Sequence, residues 1–193
     1  MIPIILDTDL GADIDDHWAT LMMLNSPELD IRLITVGSGD TDYRARLLVD
    51  LLISAGRTDI PIGIGQATTL DDGTTWTPMS RVASTRQLAD YPGVIHEDAA
   101  AAIVGAINGS AEPVAVLAIG PVTNLAAALR LDPGIAARSR LISMAGNLRG
   151  GPLAPGAGAD EEYNVCADIA AFAAVLESPW DLTLCPFDST GLI

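Results

Sequence analysis

Ile4-Ile5-Leu6-Asp7-Thr8-Asp9-Leu10-Gly11-Ala12-Asp13-Ile14-Asp15-Asp16 is an apolar run that breaks into five aspartates. Ile2 to Leu6 is short, β-branched and without alternation, the pattern of a strand buried on both faces. From Ala19 to Leu24 the apolar residues fall on a helical period, which predicts a helix. The acidic loop between them therefore lies at the carboxyl end of a parallel strand, the edge at which open α/β sheets bind ligands. Carboxylates this crowded raise one another's pKa. A cation seated among them removes the conflict, and hard oxygen donors on a loop favour Ca²⁺, with Mg²⁺ second. The competing reading is a helix start in which Asp13 or Asp15 caps the first turn and complements its dipole. That accounts for one aspartate and leaves the others unexplained.

The remaining composition fits this reading. The chain has 193 residues, 49% of them hydrophobic, enough for one core and a single domain over 1–193. The formal net charge is −15, and the 10 basic residues are all arginine. Such a balance argues against a nucleic-acid backbone or an anionic membrane as partner and suits a cation or a neutral small molecule. Cys166 and Cys185 have neither metal-ligand nor disulfide-framework spacing, as expected of packed thiols in a reducing cytosol. No basic segment precedes an apolar run at the N-terminus, and no apolar run is long enough to span a bilayer. A cytoplasmic protein is the expectation.

Strand and helix patterns alternate along the chain. Strands are expected at 30–36, 60–64 (with Pro61 marking an edge or a strand start), 113–119, 140–144 and 182–185. Helices are expected at 43–55, 99–108, 125–131 and 167–177. His96 is expected to head the helix at 99–108 through capping and local hydrogen bonding, His17 to be a helix-surface or packing residue, and Trp18 to pack in a core or interface. Residues 66–93 read as a flap or partner surface, and 150–158 as a loop of Gly, Pro and Ala. Alternation of this kind specifies an α/β fold, an open and mostly parallel sheet flanked by helices. Each strand ends in small or polar residues: the Asp cluster, Gly39-Asp40, Thr123-Asn124, Gly146-Asn147, then Glu162 and Asn164. Carboxylates and amides converging without a cationic group suit a neutral polyhydroxyl ligand; a phosphate would want Arg, Lys or a glycine nest.

The Asp7-Thr8-Asp9 to Asp15-Asp16 loop resembles the N-terminal signature of the nucleoside hydrolases, the inosine-uridine preferring N-ribohydrolases. Gly120-Pro121-Val122-Thr123-Asn124-Leu125-Ala126, Met144-Ala145-Gly146 and Glu162-Tyr163-Asn164 resemble later signatures of that family, in the same order. The resemblance implies a Rossmann-like fold and Ca²⁺-dependent hydrolysis of the N-glycosidic bond of ribonucleosides, in purine and pyrimidine salvage, by a homo-oligomer. It implies that Asp9 is a Ca²⁺ ligand and the base that activates water. Asp16 and the Thr123 main-chain carbonyl would be further Ca²⁺ ligands. Asp13 and Asp15 compete for one ribose-hydroxyl role, because the loop is two residues longer than the shortest family form. Asp40 stands where the family often has Asn and would touch the ribose. Met144 would line the ribose pocket, and Glu162 and Asn164 would hold the 5′ and 3′ hydroxyls.

Family members run on past the length of this chain, and that part carries a His-Asp pair serving the metal and the leaving base. The expectation is a chain lacking the C-terminal third, with weak or absent hydrolysis by itself. The alternative is a non-catalytic Ca²⁺- and ribose-binding remnant of the fold. A phosphatase of the haloacid-dehalogenase type also begins with strand-Asp-x-Asp, but it needs a downstream lysine and this chain has none.

Overall fold

Among the described residues, seven parallel strands form one sheet in the order β4-β3-β2-β1-β5-β6-β7. The computed structural model describes residues 1–11, 13–68, 86–148 and 161–190. The strands are β1 (Ile2–Thr8), β2 (Leu29–Val36), β3 (Ile62–Ile64), β4 (Ile95–His96), β5 (Val114–Ala118), β6 (Ser139–Met144) and β7 (Asp181–Cys185). The helices are α1 (Asp15–Leu24), α2 (Thr41–Ser54), α3 (Ala99–Asn108), α4 (Thr123–Leu131), α5 (Tyr163–Cys166), α6 (Ile169–Leu176) and α7 (Phe187–Thr190). The open, parallel α/β sheet expected from the sequence is what the chain forms.

The strand order explains where the site lies. From β1 the chain steps outward through β2, β3 and β4, then returns to place β5 on the other side of β1. Two apolar clusters, one on each face, follow from this winding. Ile4 and Leu6 of β1 pack with Met23 of α1 and Leu48 and Leu52 of α2. Ile5 points the other way and packs with Ile103 of α3, Leu125 of α4 and Ala171 of α6. β1 is thus apolar on both faces, as its unbroken sequence pattern requires. The loops leaving β1 and β5 diverge to opposite faces, which opens a crevice at the carboxyl edge between them.

Several boundaries differ from the expectations. Helix α1 begins at Asp15, not near Ala19, so Asp15 and Asp16 form its acidic first turn. Its N-cap is Ile14, with no side-chain cap bond, so neither Asp13 nor Asp15 caps it. Trp18 is 64% exposed, which overturns a core position for it. β3 is not an edge strand, because β4 pairs outside it through Ile62–Ile95 and Gly63–His96. His96 therefore belongs to a two-residue edge strand, and it is Asp98 that caps α3 through the Ala101 amide. The helix expected over 167–177 is α6, which starts at Ile169 because the Asp168 carboxylate caps it by accepting from Ala171 N; the one-turn helix α5 just before it was not expected. Residues 69–85 of the expected flap and the whole 150–158 loop lie outside the described residues.

Glycines at the carboxyl edge leave room for side chains arriving from elsewhere in the chain. A Cβ on Gly65 would stand 2.2 Å from Asn124 Oδ1 and 2.7 Å from the Val36 carbonyl oxygen, which is backbone and cannot move aside. Gly65→Ala should lower stability by about 1–3 kcal/mol in urea denaturation. Gly105→Ala, in α3 with open space around the new methyl, should instead gain about 0.5–1 kcal/mol. Equal effects at the two positions would contradict this account of the edge.

Candidate functional site

Asp9 follows β1 directly and is buried, at 5% exposure; Asp16, in the first turn of α1, is 9% exposed. Burial pushes the Asp9 carboxyl up to about 6, against the lowering pull of the Arg44 guanidinium. Burial first, and the Asp9 charge second, push Asp16 up to about 7. Thr8 Oγ1 donates to Asp16 Oδ1 and also accepts from Leu10 N at 3.1 Å, which folds the loop back over the end of its own strand. Gly11, at φ +108°, sits where a Cβ would come 2.6 Å from Leu47 Cδ1, so the loop can rest on α2 only with glycine there.

Beneath this pair lies Asp7, fully buried and held up to about 6 by desolvation. Its Oδ1 accepts from Thr35 Oγ1 at 2.6 Å and from Asn124 Nδ2 at 2.9 Å. Asn124 also donates to the Val36 carbonyl at 3.2 Å and so ties the ends of β1 and β2 to the start of α4. On the other side, Asn164 Nδ2 lies 3.1 Å from both the Ile119 and Met144 carbonyls and joins the ends of β5 and β6. Gly120 abuts Asp9; a Cβ there would meet Asp9 Oδ1 at 2.7 Å. The edge of the sheet is thus stitched by buried amides on both flanks of the aspartate pair.

The candidate residues named from the sequence separate into groups. Asp9, Asp16, Glu162 and Asn164 are buried at this edge, and Met144 ends β6 with its sulfur 3.2 Å from Asn164 Nδ2. Glu162 caps α5: Oε1 accepts from Asn164 N at 2.8 Å, and Oε2 from Gly146 N at 2.9 Å and Val165 N at 3.2 Å. Tyr163, between them, brings its hydroxyl 3.5 Å from Ser38 Oγ in the loop after β2. Asp13 and Asp15 are exposed; Asp15 lies close enough for its charge to raise both Asp9 and Asp16, and Asp13 close enough to raise Asp9. Asp40 is exposed on the rim and caps α2 through Tyr43 N at 3.0 Å. The Thr123 hydroxyl is turned to Asp168 Oδ2 at 2.7 Å, away from any ligand role of its side chain. His17 is half-buried, and desolvation pushes its pKa down.

One residue was only partly read from the sequence and another escaped it. Asn124 was visible only as one of several amides at strand ends. Arg44 lies on the apolar face of α2, one turn before Leu47 and Leu48, and a basic residue on that face was the available sign.

The donors fit a hard divalent cation in chemistry: oxygen ligands, two of them buried carboxylates whose joint ionisation is otherwise disfavoured. Among the described residues, no group of three or more His, Cys, Asp or Glu side chains converges as a complete cage. A cation held by this pair would need main-chain or ligand oxygens to complete its shell.

Comparisons with known proteins agree with this architecture. The sequence model of the inosine-uridine preferring nucleoside hydrolases matches residues 4–192. The non-specific ribonucleoside hydrolase RihC of Escherichia coli is 33% identical over 198 residues, covering 98% of this chain and 62% of that protein. A solved inosine-uridine preferring nucleoside hydrolase from Bacillus anthracis superimposes with a TM-score of 0.75 at 19% identity, over 99% of this chain and 66% of that one. A plant nucleoside hydrolase, PpNRh1, gives a TM-score of 0.73 at 27% identity, over 97% and 60%. The chain spans about 62% of the length of the curated relatives it matches.

The raised carboxyls fix a pH dependence. Asp7, Asp9 and Asp16 are held above the ordinary 3.8, so the native state keeps protons that the unfolded chain gives up. Their contribution to stability is fully present below about pH 4 and is lost as pH rises through 6 to 7. In EDTA the protein should be less stable at pH 8 than at pH 5 by chemical denaturation. Asp16→Asn should recover about 1–3 kcal/mol at pH 8 and little at pH 5. A flat profile would contradict the burial of these groups.

Proposed function

The chain belongs to the inosine-uridine preferring nucleoside hydrolase family, and from that premise we propose that it carries the metal- and ribose-binding half of a ribonucleoside N-glycosidase centre. One observation carries the reading: two carboxylates, Asp9 and Asp16, are buried together at the crevice where the sheet's winding reverses. Ca²⁺ is the proposed cation, held by Asp9, Asp16 and the Thr123 carbonyl. When bound it supplies charge that orients vicinal ribose hydroxyls and makes a neighbouring water easier to deprotonate.

The protein's own groups then divide the work. Asp9, with a carboxyl raised towards neutrality by burial, takes the proton of the attacking water. Asp15 competes with Asp13 for a ribose hydroxyl, and its place in the first turn of α1 favours it. Asp40 meets the ribose from the rim, and Met144 lines the pocket. Glu162 and Asn164 face the 5′ and 3′ hydroxyls, and their hydrogen bonds to the main chain hold them ready. The ribosyl group gathers positive charge as the bond to the base breaks, and fixed anionic side chains around it lower the barrier. Nucleosides such as inosine and uridine are the proposed substrates, and salvage the proposed setting. Among the described residues no helix is long and apolar enough to cross a membrane; a cytoplasmic location is part of this proposal. The apolar stripe Ile14, Trp18 and Met22 on α1, at 60%, 64% and 69% exposed, supports self-association as a homo-oligomer.

A second reading, binding of Ca²⁺ and ribose without turnover, is favoured by the lack of a third carboxylate in the pair's cluster among the described residues. Calorimetric titration with Ca²⁺ and ribose, beside a reducing-sugar assay on inosine and uridine, separates the two. Ribose release supports the enzyme, and binding without release supports the second reading. Asp9→Ala should abolish measurable Ca²⁺ binding and reduce any ribose release by about 10²-fold or more. Unchanged metal affinity in that variant would overturn the site assignment.

A further inference from the structure

Arg44 is among the largest fully buried side chains of the protein, at 2% exposure. Arginine is almost never buried to this degree unless its charge is matched, and a leucine would fill the apolar face of α2 at less cost. Its nitrogens are spread over two loops. Nε donates to the Ser38 carbonyl at 2.7 Å, and Nη1 donates to the Leu10 carbonyl at 2.9 Å. Nη2 lies 3.7 Å from Asp9 Oδ2. Leu10 adjoins Asp9 in the loop after β1; Ser38 stands two residues before Asp40 in the loop after β2. Ser38 is also held at φ +65°, a left-handed conformation that a residue with a side chain adopts only under constraint.

We propose that Arg44 is a positioning residue: its planar fork fixes the spacing of the loops after β1 and β2 and so aims the Asp9 carboxylate at the bound cation. The inference rests on the reading of Asp9 and Asp16 as a divalent-cation site. Lysine cannot take this place, because a single ammonium on a flexible stem does not present two coplanar donors to two carbonyls.

The sign of the mutational effect separates positioning from simple charge. A positive group beside a metal ligand repels the metal, so loss of charge alone would tighten binding. Loss of positioning loosens it. Calorimetric titration of Ca²⁺ into the parent chain, Arg44→Met and Arg44→Lys is the test, with folding of each variant checked by its thermal melt. The expected result is roughly tenfold weaker binding in both variants, Arg44→Lys included, although it keeps the charge. Trp180→Phe loses the indole bond to Ser139 Oγ at the far end of β6; it should lower the melting temperature and leave Ca²⁺ affinity unchanged. Binding in Arg44→Met as tight as in the parent, or tighter, overturns the proposal. So does parent-like binding in Arg44→Lys, the arm that decides if Arg44→Met does not fold. If the parent itself binds no Ca²⁺, the cation-site reading fails, and this inference with it.

Discussion

Two carboxylates of like sign share a buried position at the end of the central strand, and the rest of the molecule is arranged around that conflict. Asp9 and Asp16 are each more than nine-tenths shielded from solvent. Both are raised well above the usual carboxylate range by burial, and Asp9 adds its own repulsion to Asp16. Nothing in folding alone rewards such a placement, because an apolar pair of the same volume would cost less. What holds it is the winding of the sheet. The loops after β1 and β5 diverge at the one edge where their ends can hold polar groups over a buried floor.

That floor is built from polar side chains that serve the backbone. Asn124 bonds Asp7 and the Val36 carbonyl; Asn164 bonds the Ile119 and Met144 carbonyls; Arg44 bonds the Ser38 and Leu10 carbonyls. Strand ends lose their ladder partners, and buried carbonyls there need donors. An amide or guanidinium that supplies two such bonds at once fixes the relative position of two loops. The order of the site is therefore a by-product of satisfying the sheet's own edge, and the glycines at 65 and 120 keep the space for it.

How legible this was in the sequence differs from element to element. β1 and its acidic loop could be read directly, since a strand buried on both faces leaves no choice but an unbroken apolar run. The start of α1 was misplaced because its apolar residues Ile14, Trp18 and Met22 face solvent, so the pattern near the loop does not mark a buried side. β4 is two residues long and carries no period at all. The four-residue α5 is likewise too short to show a period, and it is set by the Glu162 cap. Asp9, Asp16, Glu162 and Asn164 were legible because they follow strands in order. The bonds that Asn124 and Arg44 make were not, because their partners lie in other segments; Asn124 meets Asp7 across 117 positions of chain. Ser38 adopts a positive φ without being glycine, and no residue type announces that.

The account stands on a cation resolving the repulsion between Asp9 and Asp16. A crystal structure of the protein grown in Ca²⁺ tests it most directly. The account predicts a single ion with oxygens of both Asp9 and Asp16 at about 2.3–2.6 Å. Water alone in that position, with one carboxyl protonated and hydrogen-bonded to the other, would contradict it.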